Sequence, residues 1–132
     1  MSAIARISSD SPYEDAIGYS RAVCAGPWVL VSGCTATVEG RVRHAGNAYQ
    51  QARTAIEIAL SALRQAGLGA ADVVRTRMYV VDRAHAGDVG RAHQETFGAI
   101  RPAATMVVVA GLIDPQLLVE VEVDGYTGAG AR

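Results

Sequence analysis

Near its C-terminus the chain reads LLVEVEVDGY, residues 117–126. Side chains on a strand alternate between two faces, so Val119, Val121 and Val123 point one way and Glu120, Glu122 and Asp124 the other. Such a strand cannot lie between two apolar layers. It needs a sheet with one face packed and the other face charged. From spacing alone, the three carboxylates are either a solvated face or part of a site.

The other segments fit the same plan. AIARIS reads as a first strand, and YSRAVCAGPWVLVSGCTAT as two strands around a Gly26-Pro27 turn. Gly33 interrupts the second of these, which marks a bulge or a close approach by another group. VEGRVRHAG reads as turn and loop. In NAYQQARTAIEIALSALRQAG, residues Tyr49, Ala52, Ile56, Ala59, Leu60 and Leu63 form one helical stripe. Asn47 is placed to cap that helix and Gly67 to stop it. DVVRTRMYVVD is a strand with Arg75, Arg77 and Tyr79 on one face and Val74, Thr76, Met78 and Val80 on the other. A second helix covers AHAGDVGRAHQETF, its inner stripe Val89, Ala92, His93, Thr96 and Phe97. Pro102 opens a strand in AATMVVVAGL, IDPQ turns the chain back, and the tail TGAGAR is expected to fray.

The expectation is a single domain over residues 1–132, α+β in class: a six-stranded mixed sheet with two helices on one face. Two helices cover only one side. The other carries valine and methionine beside Arg77, Tyr79, Glu120 and Glu122, a combination that a stable monomer seldom leaves bare. Burial against further copies of the chain is expected, with the charged groups lining clefts between subunits.

Composition narrows the chemistry. The chain contains no lysine, and all twelve basic residues are arginine. Schiff-base chemistry on a lysine and a Gly-Lys-Ser/Thr phosphate loop are therefore excluded. A net charge of −1 gives no footprint for nucleic acid or an anionic membrane. The longest apolar run, Met106 to Ile113, falls far short of the roughly 20 residues that cross a bilayer. No apolar stretch of signal-peptide length stands at the N-terminus, and a cytoplasmic location is expected. If the Gly26-Pro27 turn closes a hairpin, Cys24 faces Val29 and Cys34 lies roughly 16 Å further along, too far for a disulfide. No histidine lies at metal-ligand spacing from either thiol, so both are read as reduced and metal-free.

AIGYSRAV, VLVSGCTA, NAYQQARTAIEIALSALRQAGLGAADVVRTRMYVVD and RPAATMVVVAGLIDPQLLVEVEV together resemble, in order and spacing, the RidA/YjgF/UK114 (Rid) family. The resemblance spans about residues 14–124. It implies a chorismate-mutase-like fold and a homotrimer with clefts at its subunit interfaces. It also implies hydrolysis of reactive enamines and imines to a keto acid and ammonia, without metal or organic cofactor. In members of that kind, an arginine in PAR clamps the substrate carboxylate and a glutamate of the last strand places water. On this resemblance Glu122 matches the glutamate, Tyr19 the N-terminal loop tyrosine, and Ser32-Gly33 the SG whose backbone completes the cleft. Ala104 stands where the arginine would be, and Gly90 where many arginine-bearing members have asparagine, which resembles an arginine-less subgroup. Losing one partner of a desolvated ion pair costs on the order of 2–5 kcal/mol, so weak or absent 2-aminoacrylate hydrolysis is expected.

The candidate site is then Glu122 and Cys34 as reactive groups, with Tyr19, Ser32, Gly33, Arg77 and Ala104 lining the substrate. Two partly buried carboxylates about 7 Å apart along a strand push one pKa upward. A thiol beside Arg77 could be activated, and Arg77 could stand in for the missing clamp. The same residues also allow plainer readings: Cys34 as a small core group, Arg77 in a structural ion pair, His93 as a satisfied buried histidine. The expected function is an enzyme acting on a small imine, enamine or related carbonyl-derived metabolite. The alternatives are a non-catalytic metabolite-binding trimer and a pathway-specific cyclisation or tautomerisation catalyst.

Overall fold

The structure, a computed structural model, describes residues 4–128. The expectation for the tail falls, from residue 129 onward, outside the described residues. Six strands form one sheet: β1 (Ile4–Ile7), β2 (Ala22–Ala25), β3 (Trp28–Cys34), β6 (Val73–Val80), β7 (Ala103–Val108) and β8 (Val119–Tyr126), in the order β1-β2-β3-β8-β6-β7. Every neighbouring pair is antiparallel except β6 and β7, which run parallel on either side of the second helix. Two further strands, β4 (Thr37–Val38) and β5 (Arg41–Val42), make a small separate hairpin where the sequence suggests only loop. Glu39 and Gly40 both take positive φ there, which suits a tight hairpin turn.

Helix α1 (Ala48–Gln65) begins where Asn47 accepts a hydrogen bond from the Gln50 amide at 3.0 Å. It ends in a left-handed turn at Gly67, φ +85°. There the Leu68 N–H donates to Leu63 O at 2.9 Å and the Gly67 N–H to Arg64 O at 3.0 Å, the Schellman pattern. Leu63 and Leu68 then close over Gly125 of β8, where a Cβ would lie 3.0 Å and 2.9 Å from their methyl carbons. Helix α2 (Ala86–Phe97) buries Val89, Ala92 and Phe97 and leaves His93 half-buried.

Both helices lie on one face of the sheet. Val29, Val31, Cys34, Met78, Val80, Val119, Val121 and Val123 fill the space between, all at most 5% exposed. Thr76 is the polar member of that layer, and its Oγ1 lies 2.8 Å from His93 Nε2. One face assignment in β6 needs correction. A register shift between Val73 and Arg75 turns Val74 outward, at 41% exposure, and seats Val73 in the core instead. A strict alternation cannot foresee a bulge. The opposite face carries Trp28, Leu30, Arg75, Arg77, Tyr79, Val107, Glu120, Glu122, Asp124 and Tyr126, with the Trp28 and Tyr126 rings 4.7 Å apart.

Candidate functional site

Strand β8 runs between β3 and β6, so its carboxylates meet side chains from both neighbours. Glu122 faces Arg77 in the register. Arg77 Nη1 lies 3.6 Å from Glu122 Oε1 and 3.3 Å from Asp124 Oδ2. The Tyr79 hydroxyl donates to Glu122 Oε2 at 2.9 Å. Burial and that hydrogen bond push the Tyr79 phenol up, so it remains a donor at neutral pH. Arg77 thus sits beside two carboxylates of β8. Pairs this exposed contribute only about 0–1 kcal/mol each, so they orient the groups more than they stabilise the fold. Asp124 is less exposed than Glu122, at 21% against 33% of the side chain.

Glu120 has different surroundings. The register of β3 against β8 steps from Val31↔Val123 to Cys34↔Val121, so Ser32 and Gly33 bulge opposite one residue. The Glu120 carboxylate leans over that bulge. A Cβ on Gly33 would sit 2.2 Å from Glu120 Oε2, so only glycine leaves this seat free. Among the described residues the Glu120 side chain forms no ion pair and accepts no hydrogen bond. Burial, and then the charge of Glu122, push its carboxyl above the ordinary value, while Arg21 opposes them. The expected rise in one carboxyl pKa is therefore found at Glu120.

The other expected site residues divide. Ser32 Oγ donates to Ser20 O at 2.7 Å, tying the bulge to the segment after Tyr19. Tyr19 stands nearby, its ring 5.8 Å from the Arg21 guanidinium carbon. Cys34 lies on the helix side, fully buried, its thiol donating to Ser32 O at 3.3 Å. Burial pushes it up to about 11, with Arg21 lowering and Glu120 raising it further. A buried thiol whose pKa is raised is a weaker nucleophile and packs as a small core group. Ala104 pairs with Thr76 in the parallel ladder and so shares the helix-side face. It stands at the sheet edge, on the opposite face from Glu120 and Glu122.

Among the described residues, one hollow of about 360 Å³ is lined by Val81, Gly111 and Leu117 among others, and another of about 370 Å³ by His93, Phe97 and Arg101 among others. Neither includes an expected site residue. Among the described residues no three His, Cys, Asp or Glu side chains converge as metal ligands, and no helix is long and apolar enough to cross a membrane. Sequence reasoning passed over Arg21, and put Tyr79 and Glu120 on the charged face without singling them out as site residues. Tyr79 alternates with Arg77 on the face that meets β8. Arg21 carries no such periodic signal.

The family profile described as Endoribonuclease L-PSP matches residues 10–126. The chain belongs to the YjgF/UK114/Rid family. A Mycobacterium tuberculosis protein described as a member of the YjgF/YER057c/UK114 family is 46% identical, with 93% of this chain and 98% of that one covered and a TM-score of 0.82. A Yersinia pestis protein of the Rid family is 27% identical over 94% and 99% of the two chains, TM-score 0.82. An uncharacterized Streptomyces coelicolor protein is 42% identical over 127 residues, 96% of this chain and 95% of its own. The α+β architecture of a six-stranded mixed sheet and two main helices is that of YjgF-family structures. Rid membership supports a small-molecule-processing role.

Proposed function

We propose that this Rid protein is a cofactor-free homotrimeric enzyme that adds water to small imines or enamines in clefts between subunits, with Glu120 carrying the proton. The supporting observation is the half-buried Glu120 carboxyl, raised in pKa and resting on the Gly33 bulge. A carboxyl titrating closer to neutrality both gives and takes protons effectively. As the acid it protonates the imine nitrogen. As the carboxylate it then takes a proton from the attacking water as the C–O bond forms. The carbinolamine loses the amine, so R₂C=NR′ and H₂O become R₂C=O and H₂NR′. This moves the role that the resemblance gave to Glu122 two residues along the strand. Glu122 is already engaged by Arg77 and Tyr79 and serves to orient.

The trimer is supported by the separation of Ala104 from the carboxylates. They lie on opposite faces of one sheet, an arrangement that favours a cleft assembled from more than one chain. Ala104 offers no charge, and Arg77 is committed to two carboxylates. Both features favour neutral or bulkier imines over 2-aminoacrylate, in keeping with an arginine-less subgroup. The acidic row Glu120, Glu122 and Asp124, on a chain of net charge −1, offers a phosphate backbone no attraction. The family's endoribonuclease label therefore finds no support in this chain's residues.

The test is a panel of imines generated in situ by an oxidase, with amine release followed. Glu120→Gln is expected to lose about 10²–10⁴-fold in rate, and Glu122→Gln less. Equal rates in wild type and Glu120→Gln would remove the carboxyl from the mechanism. A wild type that binds metabolites in thermal-shift screens and turns none over would favour the second reading, a binding trimer, which the missing clamp also supports.

A further inference from the structure

Arg21 is a cation with an unusual set of neighbours. It stands one residue before β2, and its Nη2 donates to Gly33 O at 2.7 Å. No carboxylate lies within ion-pair distance of it among the described residues. Its Nε–H is the one buried side-chain polar atom without a partner among the described residues. Buried donors are seldom left so, and the exceptions need an explanation. Gly33 is gripped from two directions: Arg21 holds its carbonyl, and the Glu120 carboxylate rests against its Cα.

We propose that Arg21 is the positioning residue for Glu120: it fixes the Gly33 peptide on which that carboxylate rests, and it supplies the one nearby positive charge not already paired. Its catalytic meaning rests on the reading of Glu120 as proton carrier, but its physical content does not require turnover. A guanidinium suits the task because one arm can bond the carbonyl while the delocalised charge stays close to the bulge. The groups acting on Glu120 come from each neighbouring element. Glu122 acts along β8 and Arg21 from before β2, Cys34 and Tyr79 lie within electrostatic reach on β3 and β6, and Arg77 is neutralised by Glu122 and Asp124. Among the described residues, Arg21 is the charge that favours the Glu120 carboxylate over its acid, and removing it takes that contribution away.

The experiment is carboxyl ¹³C NMR titration of the full chain labelled at glutamate, with Glu120 assigned by the spectrum of Glu120→Gln. In Arg21→Gln the Glu120 midpoint is expected to move to higher pH, and in Arg21→Lys to return part of the way. Gly33→Ala works from the other side. It crowds the carboxylate out of its seat into water, and its midpoint is expected to fall toward 4.5, the ordinary value. Where turnover is measurable, Arg21→Gln should lower kcat by about ten- to a hundredfold, the scale of a misplaced reacting group, with the pH profile displaced in the same direction. A Glu120 midpoint that is unmoved in folded Arg21→Gln, or moved no more than by the remote control Arg64→Gln, overturns the inference. If the Arg21 variants do not fold, an unchanged midpoint in Gly33→Ala overturns it by itself. Shifted midpoints in a protein that hydrolyses no imine would sink the proposed function and leave this inference standing.

Discussion

Glu120, Glu122 and Asp124 are chemically similar and evenly spaced, yet they end in three different environments. Glu122 and Asp124 share Arg77, whereas Glu120 leans on a glycine and has no ion-pair or hydrogen-bond partner among the described residues. The spacing foretold that one carboxyl would be raised. It could not say which, because the answer depends on Gly33 of β3 and on Arg21, distant in sequence. A carboxyl whose folded pKa is raised binds protons more tightly folded than unfolded. Its contribution to stability is greatest below 4.5 and is lost as pH rises through the folded value. Glu120→Gln should therefore melt at a higher temperature than wild type at pH 7, and the gain should vanish below about pH 4.5 in a melting series. A loss of stability at pH 7 would mean that the carboxylate is better solvated than its surroundings indicate.

Elements are held by their ends and by a few cross-links. The end of α1 depends on Gly67 at φ +85°, where a Cβ costs roughly 1–2 kcal/mol. Gly67→Ala should lower stability by about that amount in urea titration, with an unchanged slope. Helix α2 is tied to β6 by His93 and the buried Thr76. Burial pushes the His93 imidazole below its ordinary 6.5, so docking the helix favours its neutral form. A depressed histidine contributes stability above 6.5 that is lost as pH falls through the lower folded value. Between pH 7 and 5 the wild type should lose more stability than His93→Gln, read as the difference between their urea midpoints. Helix periods, the Asn47 cap and the Gly26-Pro27 hairpin were legible because each is decided within a few residues. The slip at Val74 was not, since bulges are settled by the partner strand.

At the scale of the molecule, the open face sets the question. Trp28 and Leu30 are each 44% exposed and Val107 43%, alongside the carboxylate row. Assembly into a trimer would give a particle of three times 13.8 kDa, and sedimentation velocity at micromolar concentration should find that species. Leu30→Arg places a charge on this face and should shift the distribution toward monomer while leaving the helix-side core intact. A wild-type chain that sediments as a monomer would remove the subunit clefts from the proposed function.

Taken alone, the amino-acid sequence determined the class of fold, the chain order of the six sheet strands and two main helices, the two-sided character of the last strand and the absence of lysine chemistry. These follow from local periodicity and composition, which need no partner. The family resemblance added where a site should lie. Only the tertiary structure decided which carboxylate stands outside the Arg77 ion pairs, that Arg77 is already paired, that Cys34 is sealed in the core and that Ala104 lies across the sheet from Glu122. Each of those depends on register between strands far apart in the chain. A one-residue change of register moves a side chain to the other face, and composition carries no record of it.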